Sequence, residues 1–280
     1  CRVFVDLHVH SAFTLLEGAS LPERLASEAA RLGYAALALT DRDDLGGQFR
    51  FLEEAAKVGL RPIVGAELTV CTSPPPTSRT EVRGRDVFGL VLLAKDAHGY
   101  TNLASLISTG RFETQRGRPY VTLAQVAERA RGLIALSAFL DGPLGPALLH
   151  SDVKQGVRLA EPWLQIFGDD FVFEVQDHTL PEQRRALQTT LAIAMHYGRT
   201  ARQGVAHGVV ATNHVHHLTP KHKRIEDVLR CVALACTLDA AGDRLFPNDE
   251  RFLRPPALMA RRFQGMPELL RASELIAARC

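Results

Sequence analysis

Short apolar runs alternate with amphipathic stretches from the first residues of the chain. Val3 to Val9 reads as a strand, Leu21 to Leu32 as a helix and Ala35 to Leu39 as a second strand. Leu45 to Val58 carries the helical period, Pro62 to Val70 and Gly89 to Ala94 read as extended, and Asn102 to Ile107 is helical, with Gly99 near its start. Further strand candidates are Leu133 to Ser137, Phe171 to Val175 and Val209 to Thr212. Helical patterns follow them, notably Pro181 to His196 and Lys221 to Leu234.

Repeated β-then-α units predict a mostly parallel sheet, either a barrel or a doubly wound sheet. About seven strands within roughly 220 residues, with polar residues just after strands, favour a TIM-like α/β barrel. Thr72 to Thr80, with Pro74, Pro75 and Pro76, predicts an exposed, stiff excursion, and Arg111 to Pro119 a second polar loop. Neither breaks the domain. From Leu238 strand signals fade, and Leu258 to Phe263 and Pro267 to Ala278 predict two helices appended to a barrel spanning residues 1–237. No internal repeat is visible.

Asp6-Leu7-His8-Val9-His10 places three polar side chains on one strand face and two aliphatic ones on the other. Alpha carbons two residues apart on a strand lie about 6.5 Å from each other, so His8 and His10 can converge on one metal ion. His214-Val215-His216 repeats the arrangement after a late apolar run. A lone pair of this kind is ordinarily a set of surface histidines, but two pairs, one early and one late, meet if the sheet closes. Glu67, expected just after a buried strand, is the candidate oxygen ligand; its bland reading is a capping or solvated carboxylate. Nitrogen plus carboxylate oxygen suits zinc or manganese, which would acidify a bound water and stabilise the charge of a phosphoryl transition state.

Composition adds little and excludes some classes. The 280 residues are 46% hydrophobic and 23% charged, an ordinary globular balance. A net charge of +2 gives no bulk case for nucleic acid, so binding would need a local patch. Lys221, Lys223 and Arg224, with His222 among them, form one such run, although a solvated first helical turn explains it as well because Glu226 and Asp227 follow. Arg261-Arg262 is equally ambiguous. Cys1, Cys71, Cys231, Cys236 and Cys280 are odd in number and scattered, which fits a reducing compartment. No apolar run approaches the roughly 20 residues of a membrane span, so a cytoplasmic protein without membrane partners is expected. The chain opens at Cys1 without methionine and stops at Cys280 after a helical run, which reads as a domain cut from a longer chain. Gly46-Gly47 is too short for a phosphate loop, and no nucleophile elbow is present.

His8-Val9-His10-Ser11, Leu15-Leu16-Glu17-Gly18-Ala19-Ser20, Leu39-Thr40-Asp41 and Gly65-Ala66-Glu67 resemble, in order and spacing, the successive motifs of the PHP (polymerase and histidinol phosphatase) domain. Leu45-Gly46-Gly47, Gly99-Tyr100-Thr101-Asn102-Leu103, and Phe252-Leu253-Arg254 with Met259-Ala260-Arg261 resemble bacterial C-family polymerases, the polymerase III alpha subunits, nearest to their error-prone branch. The likeness spans essentially the whole chain.

The resemblance implies a distorted (β/α)7 PHP barrel and, in full form, nine ligands around three metals. On its motif positions the chain keeps His8, His10, Glu17, Glu67 and His216, with His214 where the family often has aspartate. Three positions differ: Arg42, Gly89 and Phe139 stand where histidine, histidine and cysteine are usual. An arginine about 5 Å from a dication is opposed by several kcal/mol even at an effective dielectric near 20. This argues against a trinuclear centre, and Arg42 is expected to turn towards Asp43 or Asp44. His98 and His178 fall on no motif position.

The resemblance further implies a fragment of a DNA-directed polymerase acting in replication, translesion synthesis and repair. Its magnesium-dependent polymerase region lies elsewhere, and its partners are DNA, a sliding clamp and mutagenesis accessory proteins. Two alternatives stand beside it: a free-standing metal-dependent phosphoesterase or 3′–5′ exonuclease, and a non-catalytic scaffold.

Overall fold

The computed structural model of the protein describes residues 4–72, 87–114, 117–199 and 208–280, and the backbone of 201–202 and 205–206. In chain order the elements are α1 (Pro22–Arg31), β1 (Ala36–Leu39), α2 (Gln48–Val58), β2 (Arg61–Cys71), β3 (Val87–Ala94), α3 (Ala97–Glu113), β4 (Val121–Thr122), α4 (Leu123–Glu128) and β5 (Leu133–Leu136). There follow α5 (Gly145–Leu149), α6 (Val153–Phe167), β6 (Phe171–Val175), α7 (Pro181–His196), β7 (Ala201–Arg202), β8 (Val205–Ala206), β9 (Val209–Ala211), α8 (Lys223–Leu234), α9 (Leu238–Ala241), α10 (Pro256–Arg262) and α11 (Pro267–Ala277).

The main sheet runs β1-β2-β3-β5-β6-β9, with β4 paired to the end of β2. Its parallel pairs are β1–β2, β2–β4, β5–β6 and β6–β9, whereas β3 runs antiparallel to both neighbours. The strict β-then-α alternation therefore fails between β2 and β3, because antiparallel neighbours need no crossover helix. Most of the proline-rich stretch expected as an excursion lies outside the described residues. Of the second expected loop, Arg111 to Glu113 are the last turn of α3.

The expected strand Val3 to Val9 is an extended stave held by single bridges, and it joins the two edges of the sheet. Asp6 bridges Leu37 of β1, and Val9 bridges Val215 beyond β9. The Ala38 and Thr40 amides donate to the Asp6 and Val9 carbonyls, and on the other side the His10 amide donates to the Val215 carbonyl and the Val215 amide to the His8 carbonyl. A ladder does not develop because the Asp6 carboxylate itself accepts the amides of Asn213 (3.2 Å) and His8 (3.4 Å). The result is a closed, irregular α/β barrel.

Leu7 and Val9 alternate with the histidines and bury fully, as do Leu37, Leu39, Leu68, Leu92 and Phe173. Each such side chain removed from water contributes about 1.5–3 kcal/mol. Outside the sheet, α1 turns Leu25, Ala26 and Ala29 inward and α2 turns Phe51 and Ala55. The second helix starts at Gln48 and not at Leu45, because Gln48 Nε2 donates to the carbonyls of Leu39 (2.9 Å) and Gly65 (3.0 Å), tying the helix start to β1 and β2.

The two expected C-terminal helices are α10 and α11, with the short α9 before them. They pack onto the barrel: the Val5 amide donates to Ser273 Oγ (3.1 Å), Tyr34 Oη to the Arg254 carbonyl (2.6 Å) and Asn213 Nδ2 to the Phe252 carbonyl (2.7 Å). Among the described residues no helix is long and apolar enough to cross a membrane.

Candidate metal centre

At one end of the barrel the two histidine pairs meet. Both His8 and His10 project from the first stave, and both are fully buried. The second pair does not repeat the strand alternation that its sequence suggests. His214 sits in the left-handed region at φ 45° and only Val215 makes a bridge, so a kink aims both rings inward. The rings of His8 and His214 stack at 3.9 Å, and those of His10 and His216 lie 5.0 Å apart. Glu67 belongs to the middle of the long β2, not to a position after it, and points into the same space.

Two groups of donors result. His8, His10, Glu67 and His214 each offer an atom within 4.8 Å of the others, and His10, Glu17 and His216 form a second group on the same criterion. Glu67 Oε2 lies 2.9 Å from His10 Nε2 and 3.4 Å from His8 Nε2. Both ring nitrogens of His10 are nevertheless buried without a hydrogen-bond partner, as is Nδ1 of His214. His8 Nε2 hydrogen-bonds that oxygen, whereas His10 Nε2 faces it without one; buried unpartnered ring nitrogens beside a carboxylate suit a cation, so the first group fits one divalent ion.

The second group does not fit an ion in the same way. Arg42 Nη1 donates to Glu17 Oε1 (2.8 Å), its Nη2 reaches both Glu67 oxygens (3.3 Å each), and Arg230 Nη1 also donates to Glu17 Oε1 (3.3 Å). Arg42 thus turns into the site and not towards Asp43 or Asp44. Those two carboxylates are engaged elsewhere: Asp43 accepts the Thr69 amide (2.8 Å) and hydroxyl (2.6 Å), and Asp44 pairs with Arg111.

Gly89 and Phe139 also shape the site. A Cβ on Gly89 would stand 2.1 Å from Glu67 Oε1, so only glycine lets this carboxylate keep its place. Phe139 is fully buried in the core.

Several residues complete the site that sequence reasoning did not assign to it. Glu174 of β6 accepts from His8 Nδ1 at 2.8 Å and from Gln176 Nε2 and the Thr212 hydroxyl. A single carboxylate inside the apolar run Phe171 to Val175 was the available signal. Arg251 has no such signal: it arrives from beyond α9, stacks its guanidinium 3.1 Å from the Phe246 ring centroid, and brings Nη1 to 3.3 Å from His216 Nε2. Glu226 of α8 faces His216 and His217, 3.4 and 3.3 Å away. Asp41 holds the loop of residues 11–18, accepting the Ser11 amide (2.6 Å) and the Ser11 and Thr14 hydroxyls (2.7 and 2.8 Å).

Burial and charge set the protonation pattern. For His8, burial pulls the pKa down but Glu174 and Glu67 outweigh it and raise it to about 10. Burial takes His216 down to about 3 and, with the charge of His8, holds His214 well below its usual range. Burial pushes Glu67 up, yet Arg42, His10 and His8 hold it well below the ordinary carboxylate value. His8 Nε2 must release its proton before it can ligate, so metal and proton compete there.

The remaining candidates separate. His178 is buried with both ring nitrogens engaged, Nε2 at 2.9 Å from the Asn213 carbonyl and Nδ1 at 3.0 Å from Gln183 Nε2. In the basic run, Lys223 pairs with Asp227, while Lys221 and Arg224 are exposed. Arg262 pairs with Glu250 and Asp177. A cavity of about 320 Å³ opens over Arg42, Glu67, His214 and Arg251, giving solvent access to the centre.

Comparison with known proteins places this geometry in a family. The chain is 34% identical over 278 residues to DNA polymerase III subunit alpha of Treponema pallidum, covering 99% of this chain and 23% of the relative. It is 38% identical over 287 residues to an error-prone DNA polymerase of an Anaeromyxobacter species, covering 99% of this chain and 22% of the relative. The chain thus spans less than a quarter of the length of these relatives. A solved structure from Bifidobacterium adolescentis, assigned as a metal-dependent phosphoesterase, aligns with a TM-score of 0.48 at 15% identity, covering 76% of this chain and 87% of that one. A family profile described as PHP domain matches residues 6–178, which include the first histidine pair, Glu17, Glu67 and Glu174. With more than half of its length matched in this way, the chain belongs to the PHP domain family.

Proposed function

We propose that the chain is the amino-terminal PHP domain of an error-prone bacterial C-family DNA polymerase, with residues 1–237 as the barrel and 238–280 as a helical lead towards the polymerase region. Likeness over 99% of the chain to both polymerase III alpha and error-prone polymerases supports the reading. The parent protein works in the cytoplasm on DNA with magnesium, a sliding clamp and mutagenesis accessory proteins. Lys221 and Arg224 are the exposed candidates for contact with a phosphate backbone.

The domain's own phosphoesterase or 3′–5′ exonuclease activity is weak or absent. The observation that carries this is the Arg42 guanidinium bonded to Glu17 and Glu67, a fixed monovalent cation where a second metal would need those carboxylates. One zinc or manganese ion held by His8, His10, Glu67 and His214 would supply a Lewis acid and an acidified water. Around it, Glu174 orients the His8 ring, and His214 and His216 stay neutral as ligation requires.

Elemental analysis of the purified chain and of a His8→Ala/His216→Ala variant, together with a single-stranded DNA cleavage assay, tests the reading. Near-stoichiometric zinc or manganese, lost in the variant and without cleavage, is expected. Metal-dependent cleavage abolished by His8→Ala would instead establish a working phosphoesterase.

A further inference from the structure

The end of α8 is closed by a paired turn of the Schellman type. The Cys236 amide donates to the Cys231 carbonyl (3.1 Å) and the Ala235 amide to the Val232 carbonyl (3.1 Å), with Ala235 left-handed at φ 50°. In this turn the helical residue whose carbonyl accepts the closing amide and the second residue past the helix bring their side chains together, usually as an apolar contact. Here both positions are cysteine. The turn therefore sets the two side chains beside each other, and neither cysteine is in a disulfide. Cys231 is buried and Cys236 partly exposed. Cys71 of β2 and Cys280 at the chain end belong to other elements.

We propose that Cys231 and Cys236 form a reversible dithiol–disulfide modification site whose oxidant is a small-molecule disulfide of the glutathione class. The partly exposed Cys236 loses its proton to solvent and attacks one sulfur of the oxidant, forming a mixed disulfide and releasing one thiolate, which takes up a proton. Cys231, after giving its proton to solvent, displaces the second thiolate. Two protein thiols and one small disulfide become one intrachain disulfide and two small thiols, a two-electron transfer. The turn makes the second step intramolecular, because the Cys236 amide is hydrogen-bonded to the Cys231 carbonyl. The pair adjoins Arg230, whose guanidinium reaches Glu17, so the modification falls on the helix that completes the metal centre.

The test is incubation of the full chain across a series of glutathione disulfide-to-thiol ratios, acid quenching, alkylation and peptide mass mapping. The expected result is a peptide spanning both cysteines that has lost two hydrogens and gained no alkyl group, reversed by dithiothreitol, while Cys71 and Cys280 remain alkylated. Cys236→Ser abolishes the cross-link and Ala235→Gly, which suits the left-handed position, preserves it; circular dichroism of each variant confirms the fold. Alkylation of both thiols across the whole series, or a stable glutathione adduct on Cys236, would overturn the proposal.

Discussion

Replacing Arg42 by methionine keeps the unbranched aliphatic stem and removes the charge, leaving Glu67 without its guanidinium and Glu17 with Arg230 alone. Arg42 contacts Glu17 at 2.8 Å and Glu67 at 3.3 Å, and its side chain is 31% exposed against 1% for Glu67. Two charge pairs separated by about 4 Å at an effective dielectric near 20 are each worth about 4 kcal/mol before the cost of desolvating the guanidinium. Removing one partner of a buried pair typically costs about 3–5 kcal/mol, and the partial exposure of Arg42 lowers the expected loss to about 2–4 kcal/mol. Urea unfolding in chelator measures it. The sign of the pH dependence follows from Glu67, whose folded pKa is depressed. Its contribution is present above the unfolded carboxylate value near 4.3 and is lost as pH falls. The gap between Arg42→Met and the parent should therefore be widest near neutral pH and narrow as pH drops through about 4. Added manganese should recover part of the loss in the variant by mass action. A difference below about 0.5 kcal/mol between pH 6 and 8, the range of an unremarkable surface change, would refute the reasoning.

Glu174→Gln should weaken metal binding by about 10–100-fold, measured by chelator competition, because the amide orients His8 less strongly. In the metal-free protein the same change should lower the His8 pKa from about 10, seen by NMR titration. The stabilisation it removes is complete below about pH 6.5 and is lost as pH rises towards 10. Gly89→Ala should lower stability by about 1–3 kcal/mol in a chemical melt, since its Cβ meets Glu67 Oε1, and a melt equal to the parent would mean that Glu67 has room to move. Asp41→Asn should cost about 2–3 kcal/mol and speed proteolysis within the loop of residues 11–18, because an amide cannot accept all three hydrogen bonds from Ser11 and Thr14 in their present geometry.

The alternation of apolar and amphipathic segments located most of the described elements, and β6 and α7 fall on their expected bounds. Periodicity is a local property, and burial of one face enforces it locally. The histidine pairs and Glu67 were legible as candidates for a related reason: metal chemistry demands donor types at a fixed spacing, whereas Glu17 came only from the resemblance to the PHP motifs. What spacing could not supply was direction. Whether Arg42 faces solvent acids or the site carboxylates depends on Asp43 and Asp44 being engaged by Thr69 and Arg111, partners that lie 26 and 67 residues away.

Glu174, Glu226, Arg230 and Arg251 joined the site only through closure of the barrel and packing of α8 and the segment after α9. No window of sequence brings them beside His8 or His216. The left-handed turn at His214 and the antiparallel β3 are likewise results of closure, since each answers to partners set by the whole sheet. The sequence by itself determined the segments, the donors and the family motifs. Tertiary structure decided which charges face one another, because a buried charge is governed by whatever the fold places within a few ångströms of it.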